Sequence, residues 1–298
     1  MGVVILLAVA STTAAAVSTV LKHLSANRPP RPVGPGAGSR LLRRLPNRLF
    51  LLALVVDAAA VTFQVFALRA GDLSTVQPVL TLALVISLGL DHLVARTRIR
   101  RSEALWAATL LAGLVLFLVA ADAAHPRGRL EVGRRDIGIG LALAAAALWL
   151  PVLAITRRAR RAVRARVLAV GVAAIYACTA ALITSSTRIV DRFGPGELLA
   201  SWQLWTLLAS ALLGVWLNQR AFAMAPLHVT LPVIASLDPL FSVVIGRFVF
   251  DERLRSTPGA TVLEVVGLGL LLLGVARLSR SQAVAEAAAA PTGRSGGP

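Results

Sequence analysis

Residues 48–69 read RLFLLALVVDAAAVTFQVFALR, an almost unbroken apolar block. About 20 helical residues cross the roughly 30 Å of hydrocarbon in a bilayer, so this block has the length of one membrane span. Asp57 interrupts it near the middle, where a charged side chain is costly and therefore indicates function. The block predicts a transmembrane helix that carries a functional group.

Similar apolar blocks recur along the whole chain. They predict an all-α integral membrane protein with about nine transmembrane helices. The predicted spans are residues 2–24, 48–69, 73–95, 103–122, 137–156, 167–187, 198–220, 227–250 and 260–278. The composition agrees, because only 15% of the 298 residues are charged, against about 25% in a soluble chain.

The net charge of +17 is explained by topology. The basic residues cluster in the short loops, and roughly two thirds of them fall on one side of the predicted spans, as the positive-inside rule requires. This pattern predicts an outside N-terminus, a cytoplasmic C-terminus and a location in the inner (plasma) membrane of a bacterium. The partner that the charge indicates is therefore the lipid bilayer, and we expect no nucleic acid.

Enzyme chemistry has no support in the sequence. Cys178 is the single cysteine, so neither an intrachain disulfide nor a multi-cysteine metal site is expected. Neither a glycine-rich phosphate loop nor a nucleophile–base pair stands out. We predict a protein that is not an enzyme and has no cofactor, with metal binding left open.

An internal similarity links the two halves of the chain. The paired residues, each pair 154 positions apart, are Gln64 and Asn218, Leu73 and Leu227, Pro78 and Pro232, and Gly113 and Gly267. On the predicted topology, the matching helices cross the membrane in opposite directions. The chain is therefore predicted to contain two inverted-topology repeats, an arrangement that secondary transporters use for alternating access.

The repeats divide the chain into three parts. Residues 1–136 form the first repeat with about four helices, and residues 137–280 form the second with about five. Residues 281–298, which end in a polar Pro- and Gly-containing stretch, are predicted to be a disordered cytoplasmic tail.

Short motifs in both halves resemble the drug/metabolite transporter (EamA-like) superfamily, and within it the NIPA-like magnesium-transporter branch. They lie in Phe66–Pro78, in Leu217–Phe222 with Val229–Pro232, and in the turn Phe250–Leu254. The resemblance covers nearly the whole chain. It implies a multi-pass permease that moves a small solute, or a divalent cation such as Mg²⁺ if the branch applies.

Two intramembrane acids are the leading candidates for a substrate or ion site. Asp57 lies in the second span, and Asp238 lies mid-span beside Pro239. Proline has no N–H, so the carbonyl of Ala235 loses its helical donor. A carboxylate beside a free carbonyl suits a hard cation or a proton.

Polar uncharged residues complete the candidate site. The repeat pairs Gln64 with Asn218, while Gln77 and Thr230 lie next to the paired prolines. On the sixth span, Tyr176 and Thr179 are weaker candidates. Each of these side chains has an alternative role as a hydrogen-bonding group between packed helices.

Three functions remain open. The first is a secondary transporter of a small molecule with a midplane site between the repeats, and the second is a divalent-cation (Mg²⁺) transporter. The third is a membrane scaffold or accessory subunit, in which the acids are buried in packed contacts without a continuous cavity. Pairing with a second copy of the chain as a homodimer also stays open. The most informative observation is whether Asp57 and Asp238 face one cavity, and rescue of a magnesium-requiring strain would separate the two transporter hypotheses.

Overall fold

A computed structural model describes most of the chain, and its regular structure within that part is entirely helical. The described residues are 2–26, 48–96, 98–122, 139–140, 143, 161–224, 227–250, 252 and 258–289. The helices are α1 (Gly2–Ala26), α2 (Arg48–Ala70), α3 (Leu73–Leu80), α4 (Leu82–Ala95), α5 (Arg101–Asp122), α6 (Arg161–Phe193), α7 (Pro195–Ala200), α8 (Trp202–Met224), α9 (Leu227–Val249) and α10 (Pro258–Ala289).

Seven stretches of the described helices are long and apolar enough to cross a bilayer. The prediction of a multi-pass, all-α membrane protein is confirmed at this level. The predicted span 198–220 corresponds to α8, which is long enough but less apolar, because it contains Gln203 and the run Asn218–Arg220. The predicted span 137–156 lies almost wholly outside the described residues.

Small residues bring α1 and α2 into close contact. Ala53, Ala60 and Ala67 recur every seven residues on α2, and all three are buried. The Ser11 hydroxyl on α1 donates to the carbonyl of Ala60 at 2.9 Å, and the Ser18 hydroxyl donates to that of Ala53 at 2.9 Å. Alanine and serine let helix backbones approach each other where lipid supplies no hydrophobic driving force.

Glycines join α5 and α10 in the same way. A methyl group placed on Gly113 would overlap the backbone nitrogen of Leu271 and lie 2.7 Å from the carbonyl oxygen of Gly267. A methyl group on Gly267 would lie 2.6 Å from the backbone nitrogen of Phe117 and 3.0 Å from the carbonyl oxygen of Gly113. Each glycine thus makes room for the backbone of the opposite helix.

Helix α6 occupies the centre of the described bundle. It is 33 residues long, about 50 Å at 1.5 Å per residue, and it packs along both α8 and α9. It is also the most enclosed of the seven candidate spans. Its buried face is rich in alanine, which allows several neighbours to reach it at once.

The predicted third span, 73–95, is broken in the structure. Helix α3 ends at Leu80 and α4 begins at Leu82, with Thr81 at the break. Thr81 keeps a helical backbone, and i−3 hydrogen bonds tighten the helix around it, while Pro78 removes the helical bond to Ser74 one turn earlier. The backbone N–H of Thr81 and its hydroxyl both donate to the carbonyl of Pro78, at 3.2 and 2.6 Å.

The segment from residue 281 onward, predicted as a disordered tail, begins within a helix in the structure. Helix α10 continues as far as Ala289, and residues 290–298 lie outside the described part of the chain. The reason is composition, because alanine dominates this segment and has the highest intrinsic helix propensity.

Helix ends recur at a fixed distance along the chain. Helix α2 spans residues 48–70 and α8 spans 202–224, so both ends are displaced by 154 positions. The broken span 73–95 and helix α9, residues 227–249, are displaced by the same 154 positions. In each half, a two-residue connection separates the first of these helices from the second.

Candidate functional site

A cavity of about 670 Å³ lies between helices from both halves of the chain. Helices α1 to α4 form one side, and α6, α8 and α9 form the other. The polar residues that line it are Ser11, Thr12, Asp57, Gln64, Gln77 and Thr81 on the first side, and Tyr176, Thr179 and Asp238 on the second. The two acids predicted as a site therefore share one cavity.

Asp57 on the cavity wall is paired with a basic residue, a contact that was not predicted from the sequence. Its Oδ2 lies 2.9 Å from Nζ of Lys22, and the two side chains are 45% and 39% exposed. Side chains lean toward the N-terminus of their own helix, so Lys22 and Asp57 on the antiparallel helices α1 and α2 lean toward each other. The sequence contained one sign that Lys22 differs from the other basic residues, because it is the single lysine among 31 basic residues.

Asp238 has a different environment. It lines the cavity together with Ala235 and Pro239, and its Oδ1 is buried without a hydrogen-bond partner among the described residues. Because Pro239 donates no N–H, the carbonyl of Ala235 has no helical donor either. This wall of the cavity therefore combines a carboxyl group with a backbone carbonyl that proline deprives of its usual helical donor.

Tyr176 connects this acid to Asn218. The Tyr176 side chain lies beside Asn218 and within the electrostatic field of Asp238. Gly214 makes room for the ring, since a methyl group there would lie 2.8 Å from a ring carbon of Tyr176. Asn218 supports a residue of the cavity wall but does not itself line the cavity.

The remaining candidates divide between the cavity and the packed core. Gln64 and Gln77 line the cavity, as does Thr179, whose hydroxyl donates to the carbonyl of Ile175 at 2.7 Å. Thr230 is completely buried away from the cavity, and its hydroxyl has no partner within the described residues. The structure therefore brings Asp57, Asp238, Gln64 and Gln77 together and leaves Asn218 and Thr230 outside the cavity wall.

A second, smaller cavity continues from the first toward the end of α2. It has a volume of about 260 Å³ and shares Val65, Ile183 and Leu207 with the larger one. Arg69 lines it and forms an ion pair with Asp191 of α6. The shared apolar residues Val65, Ile183 and Leu207 form a neck between the two cavities, and the ion pair lies beyond it.

Glu252 ties the two halves together at the same end. Its carboxylate accepts hydrogen bonds from the backbone N–H groups of Leu73 and Ser74, both at 2.8 Å, at the start of α3. Burial raises the pKa of Glu252 above its usual value, and these hydrogen bonds partly oppose that shift. A helix N-terminus favours a carboxylate, so the contact ties the start of α3 to the connection after α9.

The helices define a multi-pass membrane protein with a largely apolar cavity, carrying two acidic side chains, between two groups of helices. An uncharacterized protein of Corynebacterium glutamicum is 25% identical to it over 279 residues, which cover 93% of this chain and 94% of that protein. No known family profile matches the chain. No solved structure matches it either. The similarity to the corynebacterial protein extends over helices on both sides of the cavity.

Proposed function

We propose that this chain is a secondary transporter of the bacterial inner membrane, which moves a small solute by alternating access. One observation carries the proposal: Asp57 and Asp238, from different halves of the chain, line one cavity together with Gln64 and Gln77. Intramembrane acids on a water-accessible cavity mark substrate or ion paths. A volume of about 670 Å³ lies within the range of small-molecule sites.

The proposal includes nine spans in two inverted repeats, four followed by five. Supporting it, two pairs of helices have ends that are displaced by the same 154 positions. The glycine contacts give further support. Gly113 packs on Leu271 as Gly267 packs on Phe117, and 154 positions also separate Phe117 from Leu271. Reciprocal contacts of this kind are typical of a two-fold axis between equivalent helices.

Alternating access requires a closed side that can open. In the structure, the ion pair between Arg69 and Asp191 and the contact of Glu252 with the start of α3 lie at the same end of the bundle. Both join elements from opposite halves. We propose that these contacts form the closed gate of the present conformation, with the apolar neck beneath them.

The shared cavity also bears on the other two hypotheses, the divalent-cation transporter and the scaffold. A divalent-cation transporter is a second candidate, because two carboxylates line one cavity. Growth rescue of a magnesium-requiring strain would separate it from the transport of a small molecule. The scaffold hypothesis requires acids buried in packed contacts, and a cavity that joins both acids counts against it.

Accessibility of cavity positions from the two sides of the membrane tests the transporter without knowledge of its substrate. Cys178 is buried and is replaced by alanine, which gives a background without cysteine. Ala83→Cys and Ala211→Cys then place one thiol in the cavity wall from each half. A carrier that alternates is expected to expose both positions to a membrane-impermeant maleimide in right-side-out and in inverted vesicles.

A matched control lies on the central helix. Ala177→Cys puts a thiol at a completely buried position that does not line the cavity, and it is expected to react several-fold more slowly from either side. If the two cavity thiols react from one side only, the cavity is a fixed cleft and alternating access is wrong.

A further inference from the structure

The charges of the cavity point to the class of its cargo. Asp57 is neutralised by Lys22, whereas Asp238 has a buried oxygen without a partner among the described residues. None of the residues that line the described cavity is basic. The described wall therefore carries one carboxyl group that has no basic partner among the described residues.

The predicted span 137–156, which lies almost wholly outside the described residues, adds no charged side chain to the cavity. Residues 137–156 contain no Asp, Glu, Lys, Arg or His. A basic partner for Asp238 from this span is therefore excluded by sequence. A buried carboxylate that lacks a partner is costly, and a ligand of opposite charge removes that cost.

The remaining residues of the cavity wall are suited to contact the apolar part of an organic molecule. Most lining residues are alanine, valine, leucine or isoleucine, and their side chains offer dispersion contacts and no ligands for a metal ion. Tyr176, which lies in the field of Asp238, adds an aromatic face. A carboxylate beside an aromatic ring is a common recognition site for ammonium groups, through ion pairing and cation–π attraction.

A dehydrated divalent ion fits this wall less well. Mg²⁺ prefers six oxygen ligands in octahedral geometry and keeps several waters. One of the two carboxylates already binds Lys22. Among the described residues, no group of three or more His, Cys, Asp or Glu side chains could hold a metal ion.

We propose that the cavity selects a monovalent organic cation, whose charge pairs with Asp238 and whose apolar body fills the alanine- and leucine-rich wall. This inference rests on the transporter proposed above and names its substrate class. Asp57 and Lys22 then form a neutral pair at the same cavity and do not attract a second charge.

Ligands of equal shape and opposite charge test the inference in the purified full-length protein. The thermal unfolding temperature and the dissociation constant are measured with tetraphenylphosphonium, tetraphenylborate, tetraethylammonium and Mg²⁺ alone. The cations are expected to bind and stabilise the fold, and the anion is not. Asp238→Asn, which keeps the size of the side chain, is expected to weaken cation binding roughly tenfold or more.

A control variant distinguishes binding at Asp238 from nonspecific binding to the protein or the detergent. Glu197→Gln makes the same charge change at an exposed position outside the cavity and is expected to leave binding unchanged. Preference for tetraphenylborate or Mg²⁺, equal cation affinity in Asp238→Asn, or binding of neither cation would each overturn the inference. The labelling of positions 83 and 211 from both sides of the membrane does not depend on these binding results. The transporter hypothesis and the hypothesis of a cationic substrate are therefore tested separately.

Discussion

At the residue scale, the two acids of the cavity differ because of one neighbour. Asp57 has a lysine within 2.9 Å, and Asp238 has no described partner for its buried oxygen. The sequence predicts the same kind of role for both, since each is an aspartate in the middle of an apolar block. The distinction depends on which side chain from another helix reaches each carboxylate.

Lys22→Met is expected to lower stability, because it leaves Asp57 without its partner. Both side chains are partly exposed, so we expect a coupling of only about 0.5–1 kcal/mol between the two residues. Chemical unfolding of Lys22→Met, Asp57→Asn and the double variant in detergent measures it. The double variant should recover most of the loss.

Lys22→Arg is the matched control for this pair. It keeps the positive charge and is expected to retain most of the coupling, although a guanidinium is bulkier than an ammonium group. If Lys22→Met and the double variant were equally destabilised, the ion pair would contribute nothing and the packing of the lysine stem would explain the loss.

At the element scale, small residues decide which helices can meet. The α1–α2 contact uses alanines and serines, and the α5–α10 contact uses Gly113 and Gly267. The spacing of these small residues in the sequence predicts close helix packing but does not identify the helix that packs against them. The broken span after Pro78 shows the same limit, because proline predicts a kink whereas the position of the break at Thr81 depends on local hydrogen bonds.

Gly113→Ala is expected to destabilise the fold by about 1–3 kcal/mol, because the added methyl group overlaps the backbone of α10 and pushes the helices apart. Gly267→Ala should have a similar effect, since its methyl group meets the backbone at Phe117. Thermal unfolding of the purified protein measures both changes.

Gly269→Ala is the control on the same helix. A methyl group there has no neighbour within 4 Å, and alanine favours a helix more than glycine does, by about 1 kcal/mol. This variant is expected to be neutral or slightly stabilised. A loss of stability equal to that of Gly267→Ala would contradict the close-packing explanation.

At the scale of the whole molecule, the two halves meet around one cavity and are tied at one end. Glu252, from the connection after α9, caps α3 of the first half, and Arg69 pairs with Asp191 across the same boundary. In the sequence, the turn that contains Glu252 stands out only through the family resemblance. Its contact with a helix 178 residues earlier was not predictable from local pattern.

The proposed orientation places the end with Arg69 and Glu252 outside and the C-terminus in the cytoplasm. Most basic residues then lie on the cytoplasmic side, as the positive-inside rule requires. Alkaline phosphatase fused after Asp72 is expected to be active, and the same enzyme fused after Pro298 is expected to be inactive. Green fluorescent protein fused after Pro298 should fluoresce, and the opposite result at both positions would reverse the orientation.

The sequence by itself determined that this chain is a helical multi-pass membrane protein, because apolar blocks of span length have few other stable environments. It also identified the acids, glutamines and prolines of the candidate site, since such residues are costly in lipid or change helix geometry. Only the tertiary structure decided that Asp57 and Asp238 share a cavity, that Lys22 neutralises one of them, and that Thr230 is packed away. These outcomes depend on contacts between helices far apart in the chain, and a helix's own periodicity carries no information about its partner.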